Sequence, residues 1–429
     1  MDTTDATSQA LVIGGSLSGL LAARVLADHW PQVTIVERDE LPDGPLPRKG
    51  LPQARHAHVL LSRGARILER LFPGLEAEAL ALGAPPICWS LDSATLLAGG
   101  WMPRFDSDLR SFSASRDLLE WLVRKRIQAI PGVSFVTDRA VTGLTTNGDR
   151  TQVTGVSVRR GTEAAEEIAA DLVVDASGRT SRLPTWLADL GYGQTEVTTV
   201  NAGLGYATRW YAIPDGWEAD WKLVLIAARY PDNPRGAVVL PVEGGRWVVT
   251  LAGTGGVLPS TDEAGFLAFA QSLAGPQIYD AICQAEAISP ISGYARTENQ
   301  WRHYEKMAHW PGGLIALGDA VCAFNPVYGQ GMSVGALAAE LLDSTIRRSG
   351  LDALGRVFQK KLAKALLTPW QLATGDDFRW AGRAAGEASL ADRLMHRYLA
   401  RVFANFDQTD VIHTFFSVTH LLAPPTALF

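Results

Sequence analysis

The strongest pattern of apolar positions opens the chain. Leu11–Gly14 form a short continuous apolar run, the segment from about Ser18 to Asp28 carries apolar residues at helical spacing, and Val33–Glu37 form a second run that ends on an acid. This order predicts a buried strand, a helix and a second buried strand, a βαβ unit. Two later stretches repeat the signature. Leu172–Val174 lead through Asp175 into the turn Ser177-Gly178-Arg179, ahead of a helix begun by Leu183 and Pro184. The run "GGLIALGDA" closes on Gly318-Asp319, and "GQGMSVGALAAELLDSTIRRSG" predicts a helix entered through glycines and ended near Gly350. Three apolar runs that each end in an acid and a glycine turn are expected to lie in one open α/β sheet, at the strand ends where such sheets bind ligands.

The pattern changes between these runs. "LLSRGARILERLF" has helical spacing, and "SFSASRDLLEWLVRKRI" predicts a helix capped by Ser113 or Ser115 with Arg116 and Asp117 in its first turn. "TVNAGLGYATRWYAI", "KLVLIAARYP", "RGAVVLPVEGG" and "RWVVTLAGTGG" are strand-like runs separated by proline and glycine turns. They predict an antiparallel sheet inserted into the nucleotide-binding fold, its alternation leaving one face apolar and suited to a hydrophobic substrate. After Gly350, "LDALGRVFQKKLAKALL", "LADRLMHRYLARVFANF" and "VIHTFFSVTHLLAPP" predict a helical cap on the core or the substrate entrance.

Composition narrows the partners. The net charge of −6 is spread among well-mixed acids and bases, which argues against nucleic acid. Cys88, Cys283 and Cys322 are far apart and odd in number, so they are expected to be free, small, buried side chains in a reducing cytoplasm. The polar N-terminus lacks the layout of a signal peptide, and no apolar run is long enough for stable membrane insertion. Thirteen tryptophans suit apolar ligand walls as well as a core.

The first turn carries specific chemistry. Gly14-Gly15-Ser16-Leu17-Ser18-Gly19 follows the dinucleotide pattern G-x-G-x-x-G with Ser16 at the middle glycine. Gly14 permits the tight turn, Ser16 must let a pyrophosphate approach the backbone, Gly19 lets helix and strand pack, and Glu37 can accept from both hydroxyls of a ribose. NAD and FAD both use this unit. A proline- and base-rich loop follows instead of further βαβ units, and Arg48, Lys49, Gln53, Arg55, His56 and His58 are its candidates for phosphate or a polar ring, or for a solvated loop. No metal-ligating set stands out, since His56 and His58 lack a third ligand.

Together "GGSLSG…E", "SRDLLEWL", "VVDASGRTSR" and "GDAVCAFNPVYGQGMSVG" resemble the FAD-dependent monooxygenases of the para-hydroxybenzoate hydroxylase fold over residues 10 to 345. "RKGLPQARHAHVLLSRGARILERLFPG", "GRWVVTLAGT" and "GDAVCAFNPVYGQGMS" are similar to bacterial flavin epoxidases of polyether biosynthesis, of the lasalocid and monensin type. The resemblance implies a Rossmann-like FAD-binding domain in segments 1–80, 106–184 and 299–349. A substrate domain would occupy 81–105 and 185–298, and a helical region 350–429. It assigns Gly14, Ser16, Leu17, Ser18, Gly19 and Glu37 to the ADP half of FAD and Arg116 to the ribityl-phosphate region, with Arg38, Arg48 and Lys49 as further cofactor-binding candidates. Asp175 and Gly178 would serve FAD and nicotinamide, and Gly318 and Asp319 the ribityl-pyrophosphate. Pro326, Gly329, Gly331 and Met332 would lie near the ring, with Gly329 to Met332 offering bare N–H groups at a helix N-terminus. Asp175 and Gly178 are separated by Ala176-Ser177, unlike the adjacent Asp-Gly of the aromatic hydroxylases.

The implied chemistry is epoxidation of a carbon-carbon double bond in a lipophilic polyketide or terpenoid. Molecular oxygen would form a C4a-hydroperoxide on flavin reduced by NAD(P)H, directly or through a separate flavin reductase. Two rivals share the motifs. An aromatic hydroxylase needs a base or relay for a phenol, for which His56, His58 and Tyr206 are candidates. An isoprenoid double-bond reductase needs no oxygen. A halogenase fits less well, because the W-x-W-x-I-P element is missing.

Overall fold

The computed structural model describes residues 8–381, 398 and 401–428. Its centre is a parallel five-stranded sheet of β1 (Gln9–Ile13), β2 (Gln32–Val36), β3 (Val133–Val136), β4 (Leu172–Asp175) and β5 (Leu314–Ala316). The spatial order is β5-β4-β1-β2-β3. The four middle and edge strands that carry the motifs are buried almost throughout, as their unbroken apolar runs require when helices cover both faces. Register then decides where the turns emerge. Ile13 pairs with Val36 on one side and Asp175 on the other, and Asp175 pairs with Ala316. The four strands therefore end level, and the segments starting at Gly14, Glu37, Ala176 and Leu317 leave the sheet along one edge.

Four helices frame that edge: α1 (Leu17–Leu26), α2 (Arg116–Gln128), α3 (Gly331–Ile346) and α4 (Leu351–Ala381). Of the two caps considered for α2, the structure uses Ser115, whose Oγ accepts from the N–H of Leu118 at 3.1 Å. α1 packs on α3 and α3 on α4, extending the main core with Leu354, Phe358, Leu362 and Leu366. Pro369 lies inside α4, and Gln359 donates from Nε2 to the Ala316 carbonyl at 2.9 Å. A last helix, Thr409–Thr419, lies near the C-terminus; most of the expected helix "LADRLMHRYLARVFANF" lies outside the described residues.

The expected inserted sheet is present, with eight strands. Gly205–Ala212, Leu223–Ile226, Arg235–Val242 and Arg246–Gly253 form most of it, and Ser93–Leu97 joins Leu223–Ile226 in a parallel pair. Helices Glu263–Gln271 and Gln277–Gln284 cover one face, burying Ala207, Tyr211, Val249 and Leu251. The apolar face is thus the one the helices take. The opposite face presents Tyr206 to the cleft beside the buried Thr208–Thr250 pair, so the wall open to a ligand is aromatic rather than simply aliphatic. A further three-stranded antiparallel sheet, Ala140–Thr146, Val153–Arg159 and Glu166–Ala169, was not expected from the pattern. Cys88 and Cys322 are buried, but Cys283 is exposed, because it falls on the outer side of the helix Gln277–Gln284. Among the described residues no helix is long and apolar enough to cross a membrane.

Candidate functional site

The level strand ends open into a cleft of about 680 Å³. Gly14, Ser16, Leu17, Ser18, Glu37, Arg38, Arg48, Arg116, Gly178 and Asp319 line one side of it, and Pro326, Gly329, Gly331 and Met332 line its far end. Gly19 sits inside α1, Gly318 packs behind the cleft, Asp175 lies beneath it, and Lys49 is exposed on an adjoining depression; none of these four is part of the lining. Of the thirteen tryptophans only Trp186 reaches the cleft.

Backbone geometry shapes the dinucleotide side. Gly14 has φ +104°, and a Cβ there would stand 2.6 Å from the Ala176 carbonyl oxygen, so no other residue fits between β1 and β4. α1 begins without a side-chain cap, which leaves the N–H groups of its first turn for an anion. Glu37 is 5% exposed and accepts from the Gly15 N–H at 2.7 Å. Gly318, at φ +62°, lies so close to α1 that an added Cβ would meet the Ser18 hydroxyl at 2.7 Å. The first and third glycine turns therefore touch.

A buried charge cluster holds this half together. Ser16 at the middle glycine position turns its hydroxyl aside, donating to Glu120 Oε2 at 2.6 Å and accepting from Arg116 at 2.8 Å. Arg48 reaches Glu120 at 2.9 Å, Asp39 at 2.8 Å and Glu37 at 3.4 Å, so its guanidinium is committed to protein carboxylates rather than left for phosphate. Arg116 pairs with Glu120 at 3.0 Å, yet its Nε is buried without a partner. Burial pushes the Glu120 carboxyl up, but Arg116, Arg48 and Ser16 outweigh it and hold the group below its ordinary value. Sequence reasoning missed Glu120, although its i,i+4 spacing from Arg116 on α2 was a signal.

Asp175 accepts from the Ser177 N–H at 3.0 Å, from the Ser177 hydroxyl at 2.5 Å and from the Ser181 hydroxyl at 2.5 Å. It shapes the turn that carries Gly178 and does not face the cleft. Asp319 opens onto the cleft but is ringed by protein, and that burial raises its pKa against the pull of Arg179, Arg116 and Arg302. Arg302 joins the second and third turns by donating to the Asp319, Ala320 and Arg179 carbonyls at 3.2, 3.1 and 2.6 Å. Nothing in the sequence marked it.

At the far end, the N–H of Gly329 donates to the Pro326 carbonyl at 3.0 Å, so Gly329 does not offer the bare N–H expected of it. α3 starts at Gly331 without a side-chain cap, and its first-turn N–H groups face the end of the cleft. Gln330, 3% exposed, keeps its Oε1 buried without a partner. The opposite wall brings together His56, Tyr206 and Tyr294. The His56 and Tyr206 rings lie 4.8 Å apart edge to face, and the two tyrosines stack at 5.5 Å. His56 Nδ1 is hydrogen-bonded to Thr208 Oγ1 at 2.8 Å, and Thr208 to Thr250 at 2.7 Å. Burial, with Arg55 nearby, lowers the His56 pKa to about 4; burial and Arg116 lower that of His58 to about 3. Burial also raises the Tyr206 phenol well above its ordinary value.

The residues fit an FAD. Two uncapped helix N-termini face one elongated cleft, an acid stands at the end of β2, and Arg116 Nε and Gln330 Oε1 are buried polar atoms that need a partner. A family model described as an FAD binding domain matches residues 7–346. Protein Rv3254 of Mycobacterium tuberculosis is 37% identical over 380 residues, covering 86% of this chain and 80% of that protein. Among solved structures, the flavin-dependent brominase Bmp2 superposes with a TM-score of 0.70 at 14% identity, over 96% of this chain and 94% of its own. The myxobacterial chondrochloren halogenase CndH gives 0.68 at 16%, over 98% and 97%. PqsL of Pseudomonas aeruginosa, described as a probable FAD-dependent monooxygenase, gives 0.65 at 17%, over 88% and 99%. These structures share the fold, and the family match adds the cofactor: the chain belongs to the FAD-binding-domain family, as a flavoprotein oxidoreductase on the monooxygenase-type fold.

Proposed function

We propose that the protein epoxidises an electron-rich carbon-carbon double bond of a lipophilic polyketide or terpenoid. The balanced reaction takes alkene, O2, NAD(P)H and a proton to epoxide, water and NAD(P)+. Bound FAD supplies the activation of oxygen. The protein supplies position and dryness. The uncapped start of α3 offers N–H donors where negative charge on a reduced ring would be stabilised. Tyr206, Tyr294 and His56 form the wall against which an unsaturated chain would lie, and Phe324, Val59 and Met332 add apolar surface around it.

One observation carries this reading over the aromatic hydroxylase. The titratable groups on the aromatic wall are held neutral: His56 is a weak base, with a pKa of about 4, and the Tyr206 phenol resists ionisation. A wall of this kind serves a neutral alkene better than a phenol that must lose its proton. Fold similarity to halogenases leaves the reaction open, and bromide or chloride in the assay supplies that comparison.

The experiment loads the protein with FAD and offers NADPH, O2 and panels of terpenoid alkenes, polyketide alkenes and phenols, with product masses read by mass spectrometry. Gain of one oxygen by an alkene is expected. Gain by a phenol alone would replace epoxidase with hydroxylase, and a double bond reduced under nitrogen would make the protein a reductase. NADPH oxidation that begins only when a flavin reductase is added would assign reduction to a partner.

A further inference from the structure

Asp377 lies near the end of α4, past residue 346 where the family match stops. It is 3% exposed, and its carboxylate accepts three hydrogen bonds. Oδ2 receives Nδ2–H of Asn299 at 2.7 Å and of Asn325 at 2.9 Å, while Oδ1 receives the Tyr328 hydroxyl at 2.8 Å. The amides use their other ends on the backbone: Asn299 Oδ1 accepts from the Asn325 N–H at 2.7 Å, and Asn325 Oδ1 from the Val327 N–H at 3.1 Å. Asn325 and Tyr328 bracket Pro326, and the turn they hold, Pro326–Tyr328, leads directly into Gly329 and α3.

An ionised carboxylate without a cation is costly to bury, and an apolar residue would pack the helix at lower cost. The cost is matched by a function that needs three acceptor bonds at once, which a carboxylate provides and a neutral amide does not. We propose that Asp377 is a positioning residue of the flavin site, clamping the Asn325–Tyr328 turn so that the N–H groups at the start of α3 stay aimed into the cleft. The clamp rests on the assignment of this segment to the flavin ring. It makes α4, which contributes nothing to the lining of the cleft, an integral part of the site. Two titratable groups face Asp377: Tyr328 from the turn, and Asp376 on its own helix, itself paired with Arg379 at 3.2 Å; the strand Asn299–Arg302 presents only the Asn299 amide. Burial holds the Asp377 pKa up at about 6, so the three-bond form dominates above that pH.

The test reads FAD binding to apo protein by fluorescence quenching, together with the visible spectrum and midpoint potential of bound flavin, from pH 5 to pH 8. Asp377→Leu keeps the branched shape and removes every acceptor; it is expected to weaken FAD binding roughly tenfold and to shift the flavin absorption band and potential. Asp377→Asn can still accept from the two amides but leaves the Tyr328 hydroxyl without its acceptor, so it should restore only part of the binding lost in Asp377→Leu at pH 8, and it loses the spectral change that the wild type shows near pH 6. Tyr328→Phe removes one arm and should fall between. If Asp377→Leu does not fold, the other two variants decide. Wild-type affinity, spectrum, potential and pH response in Asp377→Asn and Tyr328→Phe overturn the clamp. A wild-type protein that takes up no FAD overturns the flavin assignment and the clamp with it.

Discussion

The two sides of the cleft are made of different material. The parallel-sheet side is shaped first by backbone, with strand ends in register, turns that only glycine can follow and helix starts with free N–H groups, and the Glu37 and Asp319 carboxylates stand at those strand ends. The opposite wall is made of side chains, His56 from a loop, Tyr206 from one strand and Tyr294 from another, with the His56 ring fixed by the Thr208–Thr250 pair. A backbone site recognises what every FAD has in common, because its donors and acceptors do not change with the side chains around them. A side-chain wall can be altered one residue at a time without disturbing the cradle, and substrate choice belongs there.

The largest expected effect tests the first half of that contrast. Gly14→Val would push a side chain into the Ala176 carbonyl at a backbone angle that valine does not adopt, at a cost of roughly 3 kcal/mol or more. The purified variant should be colourless or unfolded, and a yellow, stable protein would show that the cradle is not set by its backbone. Asp319→Ala comes next: removing the acid that opens onto the cleft should weaken FAD binding about tenfold without changing the circular dichroism.

Smaller effects test the wall. Tyr206→Phe and Thr208→Val should leave FAD affinity within about twofold and change substrate KM or kcat by two- to tenfold, the range of one hydrogen bond. Loss of FAD from either variant would erase the distinction between the two sides.

The smallest effect is on pH dependence. His56, His58 and the buried His420 have folded pKa values lowered to about 4, 3 and 3, so their contribution to stability is present above pH 6.5 and is lost as pH falls through the folded values. Asp117 and Asp377, raised to about 6, act in the opposite sense: their contribution is complete below their unfolded value near 3.8 and is lost as pH rises through about 6. Three histidines with the larger shifts outweigh two acids, so melting temperature should drop from pH 6.5 towards pH 4. His420→Leu should flatten that slope while lowering stability at neutral pH, because the Ser62 N–H and hydroxyl bonded to His420 Nδ1 at 3.2 and 3.0 Å would lose their acceptor.

The sequence by itself determined the cradle. Gly14, Glu37, Gly178 and Asp319 were legible because each lies at a fixed offset from a buried apolar run, and local periodicity is enough to place a turn at a strand end. A serine cap on α2, at Ser113 or Ser115, and the four main strands of the inserted sheet were legible for the same reason, and the structure then chose Ser115. Tertiary structure alone decided what is held by partners far away in the chain. Arg48 is spent on three carboxylates, Asp175 is turned away from the cleft, and Gly329 has its N–H occupied. Tyr294 reaches the cleft, and Glu120, Arg302 and Asp377 support it from behind, only after folding brings a short edge strand, α2, the strand Asn299–Arg302 and α4 together. The physical reason is one of range. A turn is fixed by the backbone angles of a few neighbouring residues, whereas a buried carboxylate finds its donors wherever packing has placed them, here more than fifty residues back for Asn299 and Asn325.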